Sequence, residues 1–197
     1  MAPISSQEFL AQRFRVHAFL ADVPLHDVWA VDLPGFRKGI TLYEFRARTS
    51  KDDALRRVSW PTRVLFGLRF LIGRVLGLES KPRGSRRVYF ADWLNGEDRA
   101  ASLVLAGTPD GLFRVVYCFE NEILLEVVNR TVHGALMSAL QQTGIGYRLY
   151  FAVYVRKVSW ITPMYMTLID PFRRWIVYPA IVREIQRSWA EQFGSFN

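Results

Sequence analysis

The chain has 197 residues, half of them hydrophobic, enough to bury one full core and too few for two ordinary domains. Lysine plus arginine number 26 against 18 for aspartate plus glutamate, a net charge of +8 that favours anionic partners. A single cysteine, Cys118, excludes an intrachain disulfide and any multi-cysteine metal site, and fits a reducing compartment.

The opening stretch MAPISSQEFLAQRFRV lacks the basic region, unbroken apolar run and small-residue cleavage site of a secretory signal, so a cytoplasmic location is expected. Ser5, three residues before Glu8, reads as a capping box that opens a short helix. Residues 1–23 are read as an extension and 24–197 as the domain proper. HDVWAVDL, 26–33, has strand character and ends at Pro34-Gly35. Helices are expected over 41–49 and 60–78, the second introduced by Ser59 and Pro61. A polar, turn-rich connection follows over 79–87, then a loop with a short helix through YFADWLNGEDRAASLVLAG.

The charge is local. From Arg56 to Arg87 nine basic residues face one acid, Glu79, so this stretch alone carries +8. One reading is a solvated helical face with the side-chain stems laid over it. The other is attraction to an anionic membrane surface through Arg63, Arg69, Arg74, Arg83, Arg86 and Arg87, at about 1 kcal/mol per residue. Aromatics placed for base stacking and nucleic-acid reading motifs are both missing, so no nucleic-acid partner is expected. A spanning helix needs about 20 mostly apolar residues. VLFGLRFLIGRVLGL is short and broken by Arg69 and Arg74, and the apolar stretch at 159–189 carries Asp170, Arg173 and Arg174 beside Pro171, so no integral membrane segment is expected.

From 111 to 158 the pattern alternates, as half-buried strands do. In LFRVVYCFE the residues Phe113, Val115, Tyr117 and Phe119 share one face, opposite Arg114 and Glu120. In EILLEVV, after a turn at Glu120-Asn121, Ile123, Leu125 and Val127 point inward and Glu122 and Glu126 outward. TVHGALMSAL follows, then a turn at 141–144, then YRLYFAVYVRKV, with Tyr147, Leu149, Phe151, Val153 and Val155 on its apolar face. Four strands joined by short turns make an antiparallel meander with one covered face. The cover is a long helix from Thr162-Pro163 to about 193, whose stripe runs through Phe172, Trp175, Val182, Ile185, Trp189 and Phe193. Pro171 and Pro179 should bend or split it. The fold class expected is α+β.

YVRKVSWITPMYMTLIDPFRRWIVYPAIV, with RVLFGLRFLIGRVLGLE upstream, resembles a bacterial domain family of unknown function, some of whose members are fused to nucleotide-binding reductase domains. Through that family the chain is similar to the START-like (SRPBCC; polyketide cyclase/dehydrase and lipid transport) superfamily. The resemblance implies a helix-grip: a curved antiparallel sheet around a long C-terminal helix, with a cavity between them for an apolar ligand. Family members usually carry histidine and asparagine just after the arginine matching Arg156, and histidine after the proline-phenylalanine pair. Here Lys157, Val158 and Ser159, and Arg173, occupy those places, so imidazole chemistry there does not carry over.

Catalytic motifs are scarce. No P-loop, G-x-G-x-x-G or G-x-S-x-G stands in the chain, and His17, His26 and His133 have no metal-site spacing, so neither metal nor cofactor is expected. His133 shares a strand face with Ala135, Met137 and Ala139; it reads either as a satisfied structural histidine or as a ligand contact or general base. Tyr117 and Tyr147 read as core or as polar groups of the same cavity. The lining expected is Phe113, Val115, Met137, Leu149, Phe151, Phe172 and Trp175, with His133, Tyr117 and Tyr147 as catalytic candidates. Three functions follow: binding of a hydrophobic molecule such as a lipid or polyketide, a cyclase or dehydratase using the same cavity, and a peripheral membrane protein.

Overall fold

The computed structural model describes residues 2–35, 38–51, 88–128, 133–157, 167, 170–171 and 173–193. The basic stretch with Arg63, Arg69, Arg74, Arg83, Arg86 and Arg87, the helix expected over 60–78, the helix start at Thr162-Pro163 and Phe172 lie outside them.

Seven antiparallel strands make one curved sheet: β1 (Ala2–Pro3), β2 (Leu25–Pro34), β3 (Pro109–Asp110), β4 (Phe113–Cys118), β5 (Glu122–Val128), β6 (His133–Thr143) and β7 (Gly146–Arg156). Their order is β1-β2-β7-β6-β5-β4-β3. The meander β4 to β7 is the predicted one, and β2 closes on its far side by pairing with β7, Val31 opposite Leu149. The turn expected at 141–144 is shorter. Gln141, Gln142 and Thr143 pair with Arg148, Tyr147 and Gly146, leaving a two-residue connection at Gly144-Ile145. Polar residues at an exposed strand end had the composition of a turn. Gly146 has φ +153°, and a Cβ there would strike the carbonyl oxygen of Leu33 on β2, so the β2–β7 approach requires glycine.

The helices are α1 (Ser6–Leu10), α2 (Arg15–Phe19), α3 (Leu42–Lys51), α4 (Gly96–Ala101) and α5 (Tyr178–Phe193), with a 3-10 turn at Phe90–Trp93. Ser5 Oγ caps α1 by accepting from the Glu8 N–H, the serine half of the expected box, while the Glu8 carboxylate accepts from Arg148 at 3.3 Å. The sheet is covered on both faces. The first face carries Ala30, Val116, Tyr117, Leu124, Met137, Tyr150 and Tyr154, under Phe9, Val16 and Leu20 of the N-terminal segment and under Phe90 and Leu94. The second carries Val31, Leu33, Val115, Leu125, Leu140, Tyr147 and Leu149, under Phe45 of α3 and Val182, Trp189 and Phe193 of α5. The residues before 24, set apart as an extension in the sequence, thus supply part of the core.

The C-terminal segment grips the sheet along β2. The Asp170 carboxyl lies 3.0 Å from His26 Nε2, Tyr178 Oη donates to Asp27 at 2.9 Å, and Trp189 Nε1 donates to the Pro34 carbonyl at 2.7 Å. The predicted irregularity is a π turn, Arg173–Val177, directly before Pro179, which has no N–H to return to the carbonyl of Trp175. One extra residue in a turn rotates the helix by about 100°. The stripe is restored beyond it at Val182, Trp189 and Phe193, but Trp175 is turned out and is 81% exposed. It lines nothing between helix and sheet.

Together these elements make an α+β helix-grip.

Candidate functional site

The expected lining divides between two faces, and the cause is a single residue. Val115 pairs with Leu125 and Tyr117 with Leu124, so Val116 is a bulge in β4. A bulge inverts the alternation beyond it. Phe113 and Val115 therefore face α5, while Tyr117 lies on the first face, stacked 4.6 Å from Phe119. Met137 and His133 are on the first face as well; Leu149, Phe151 and Tyr147 are on the second. His133 and Tyr117 thus share one side of the sheet and Tyr147 the other, where its hydroxyl accepts the Ile40 N–H at 3.1 Å.

Glu122 and Glu126, expected outward, are buried on the first face. The reason is that this face is covered too, and both carboxyls are used by its covering segments. Glu122 accepts the N–H groups of Arg15 and Val16, each at 2.8 Å, and the Tyr117 hydroxyl at 2.6 Å. Phe14, the residue at the N-cap of α2, makes no side-chain cap, so Glu122 supplies from 107 residues away what a local serine or aspartate would. Glu126 does the same for the 3-10 turn, accepting from Phe90 N at 2.8 Å and Ala91 N at 3.3 Å. His133 Nε2 lies 3.2 Å from Glu126, and its ring stacks on Phe90 at 3.8 Å. Burial, then the neighbouring Glu122, push the Tyr117 hydroxyl well above its ordinary range, so it stays a donor at neutral pH. Burial likewise raises the Cys118 thiol, which makes it a packed side chain and a poor nucleophile.

The second face differs. Leu136, Phe151 and Val153, in the middle strands, are only half-buried, as are Val127 and Phe113. Leu136 is paired with Val153, which shares its face with Phe151, so these three side chains form one apolar strip, with the buried Ser138 opposite Phe151. Trp29 of β2 is paired with Phe151 at the edge of this strip and packs 5.1 Å from the Tyr178 ring. Trp29 was missed in the sequence because it lies outside the meander, and the β2–β7 pairing that brings it here leaves no local signal. At the β4–β5 turn an open groove of about 660 Å³ is lined by Phe14, Arg15, Leu103, Phe119, Glu122 and Gln141, among others. Its buried acid is Glu122, whose oxygens are already engaged.

Among the described residues no helix is long and apolar enough to cross a membrane.

No curated protein and no solved structure matches the chain. A family model described as a protein of unknown function, DUF2867, matches residues 19–180, leaving outside it β1, α1, most of α2 and all of α5 beyond Ala180, Trp189 included. That match covers most of the chain, which therefore belongs to the DUF2867 family.

Proposed function

We propose that the protein binds a hydrophobic small molecule, lipid-like or polyketide-like, between the sheet and its C-terminal segment. The observation that carries this reading is the half-buried strip of Leu136, Phe151 and Val153. Central strands in a covered sheet ordinarily bury such side chains fully, and a contiguous, partly covered apolar strip is the lining that a site for a hydrophobic molecule needs. The START-like resemblance agrees with it as a fold-level analogy. Binding is favoured over a cyclase or dehydratase by the placement of the polar candidates. His133 and Tyr117 are bound to Glu126 and Glu122 on the opposite face, and Tyr147 is held by the Ile40 backbone.

N-phenylnaphthylamine, a neutral probe that brightens in apolar surroundings, should bind saturably. Leu136→Trp, which fills the strip, should weaken that binding about tenfold or more with circular dichroism unchanged. Ala135→Trp would not serve, since Ala135 is buried on the first face. Wild-type affinity in Leu136→Trp would overturn this placement, and the groove at Phe14 and Leu103 would be the next to test.

A second reading, contact with an anionic membrane, rests on Trp175, exposed beside the exposed Arg174. Indole and guanidinium both settle at the boundary between lipid and water. Co-sedimentation with phosphatidylserine vesicles should fall severalfold in Trp175→Ser; equal sedimentation would end this reading.

A further inference from the structure

Trp29 presents a buried N–H with nothing to bond. Its Nε1 is shielded from solvent and has no hydrogen-bond partner among the described residues, although interiors satisfy nearly all such donors. The Tyr154 hydroxyl is orphaned as well among the described residues, but it lies on the first face, among the buried side chains of that core. Trp29 is different because it shares the second face with Phe151, its neighbour in the sheet, and so borders the incompletely covered strip. An orphan donor beside an apolar site is a polar contact waiting for its acceptor.

The surroundings restrict that acceptor. Asp27, two residues before Trp29 on the same side of β2, accepts the Tyr178 hydroxyl, and Asp170 stands at His26. A neutral indole N–H does not compensate the charge of a ligand carboxylate or phosphate, and burying such a charge unpaired is costly. We propose that Trp29 is the polar anchor of the site and that the ligand carries a neutral oxygen acceptor, a carbonyl or hydroxyl, at the β2 end of an apolar body. The inference rests on the binding reading above and deepens it.

The test uses competition against N-phenylnaphthylamine with methyl nonyl ketone, undecane and undecanoate. In the wild type the ketone should outcompete undecanoate. The ratio of ketone to undecane affinity should fall about three- to tenfold in Trp29→Phe, the share of one hydrogen bond, while the probe itself still binds. An unchanged ratio overturns the role of Trp29, and undecanoate as the best competitor overturns the neutral acceptor. Failure of the wild type to bind the probe at all overturns the binding reading, which is a different result. Should Trp29→Phe not fold, the proton–nitrogen resonance of the Trp29 indole decides instead. It should move downfield with the ketone and not with undecane, and an unmoved signal overturns the proposal.

Discussion

Glu126→Ala should lower the unfolding free energy by about 3–5 kcal/mol, the range for removing one partner from a buried polar cluster. Three groups lose their acceptor at once: the N–H groups of Phe90 and Ala91 and the imidazole of His133, all against a side chain 1% exposed. Domains of this size are stable by about 5–15 kcal/mol, so much of the total is at stake. Urea denaturation should show a lower midpoint with an unchanged slope. Glu126→Gln keeps one acceptor oxygen for the backbone and replaces the other by an amide N–H that the imidazole accepts in its other tautomer, and should lose less than half as much. A loss under about 1 kcal/mol for the alanine variant would mean that water replaces the carboxyl, contrary to the burial of this face.

Trp189→Ala should cost a similar amount, about 3–5 kcal/mol, for a different reason. Trp189 is 1% exposed and packs between Phe45 of α3, Tyr147 of β7 and Phe193 of its own helix, while its N–H holds the Pro34 carbonyl. Alanine would open a cavity where three elements meet. Trp189→Phe should restore most of the packing and leave the Pro34 carbonyl without this donor, so the gap between the two variants separates volume from hydrogen bond. The same denaturation measurement checks both; equal stability of the alanine variant and the wild type would mean that α5 is not what closes this end of the sheet.

The parts of the fold legible in the sequence were those with a local period. The β4–β7 meander, α3, the Ser5 cap and the packing of Val182, Trp189 and Phe193 follow from spacings of two, or of three and four. What misled was the assumption of one covered face. Tyr150, Ala152 and Tyr154 are apolar on the other side of β7, and Ala135 and Met137 on the other side of β6, which is the composition of a sheet covered twice. Reading both faces would have placed Glu122 and Glu126 inside. The bulge at Val116 and the π turn before Pro179 each shift a period by one residue, and that moved Tyr117 and Trp175 away from the cavity side. The bulge has no signature in its own residues, and the prolines announce an irregularity in the helix without giving the size of its rotation. Trp29 depended on a strand pairing across more than a hundred residues, beyond the reach of local pattern.

The distant capping of α2 by Glu122 bears on the order in which the chain can fold. A helix of five residues with no cap of its own does not persist in water. Its donors are satisfied only when β5 arrives, 107 residues later in synthesis, already paired in the sheet. The α2 N-terminus is thus held by a residue of the sheet, so α2 should order only once β5 has paired, and hydrogen exchange at Arg15 and Val16 should follow that of β5.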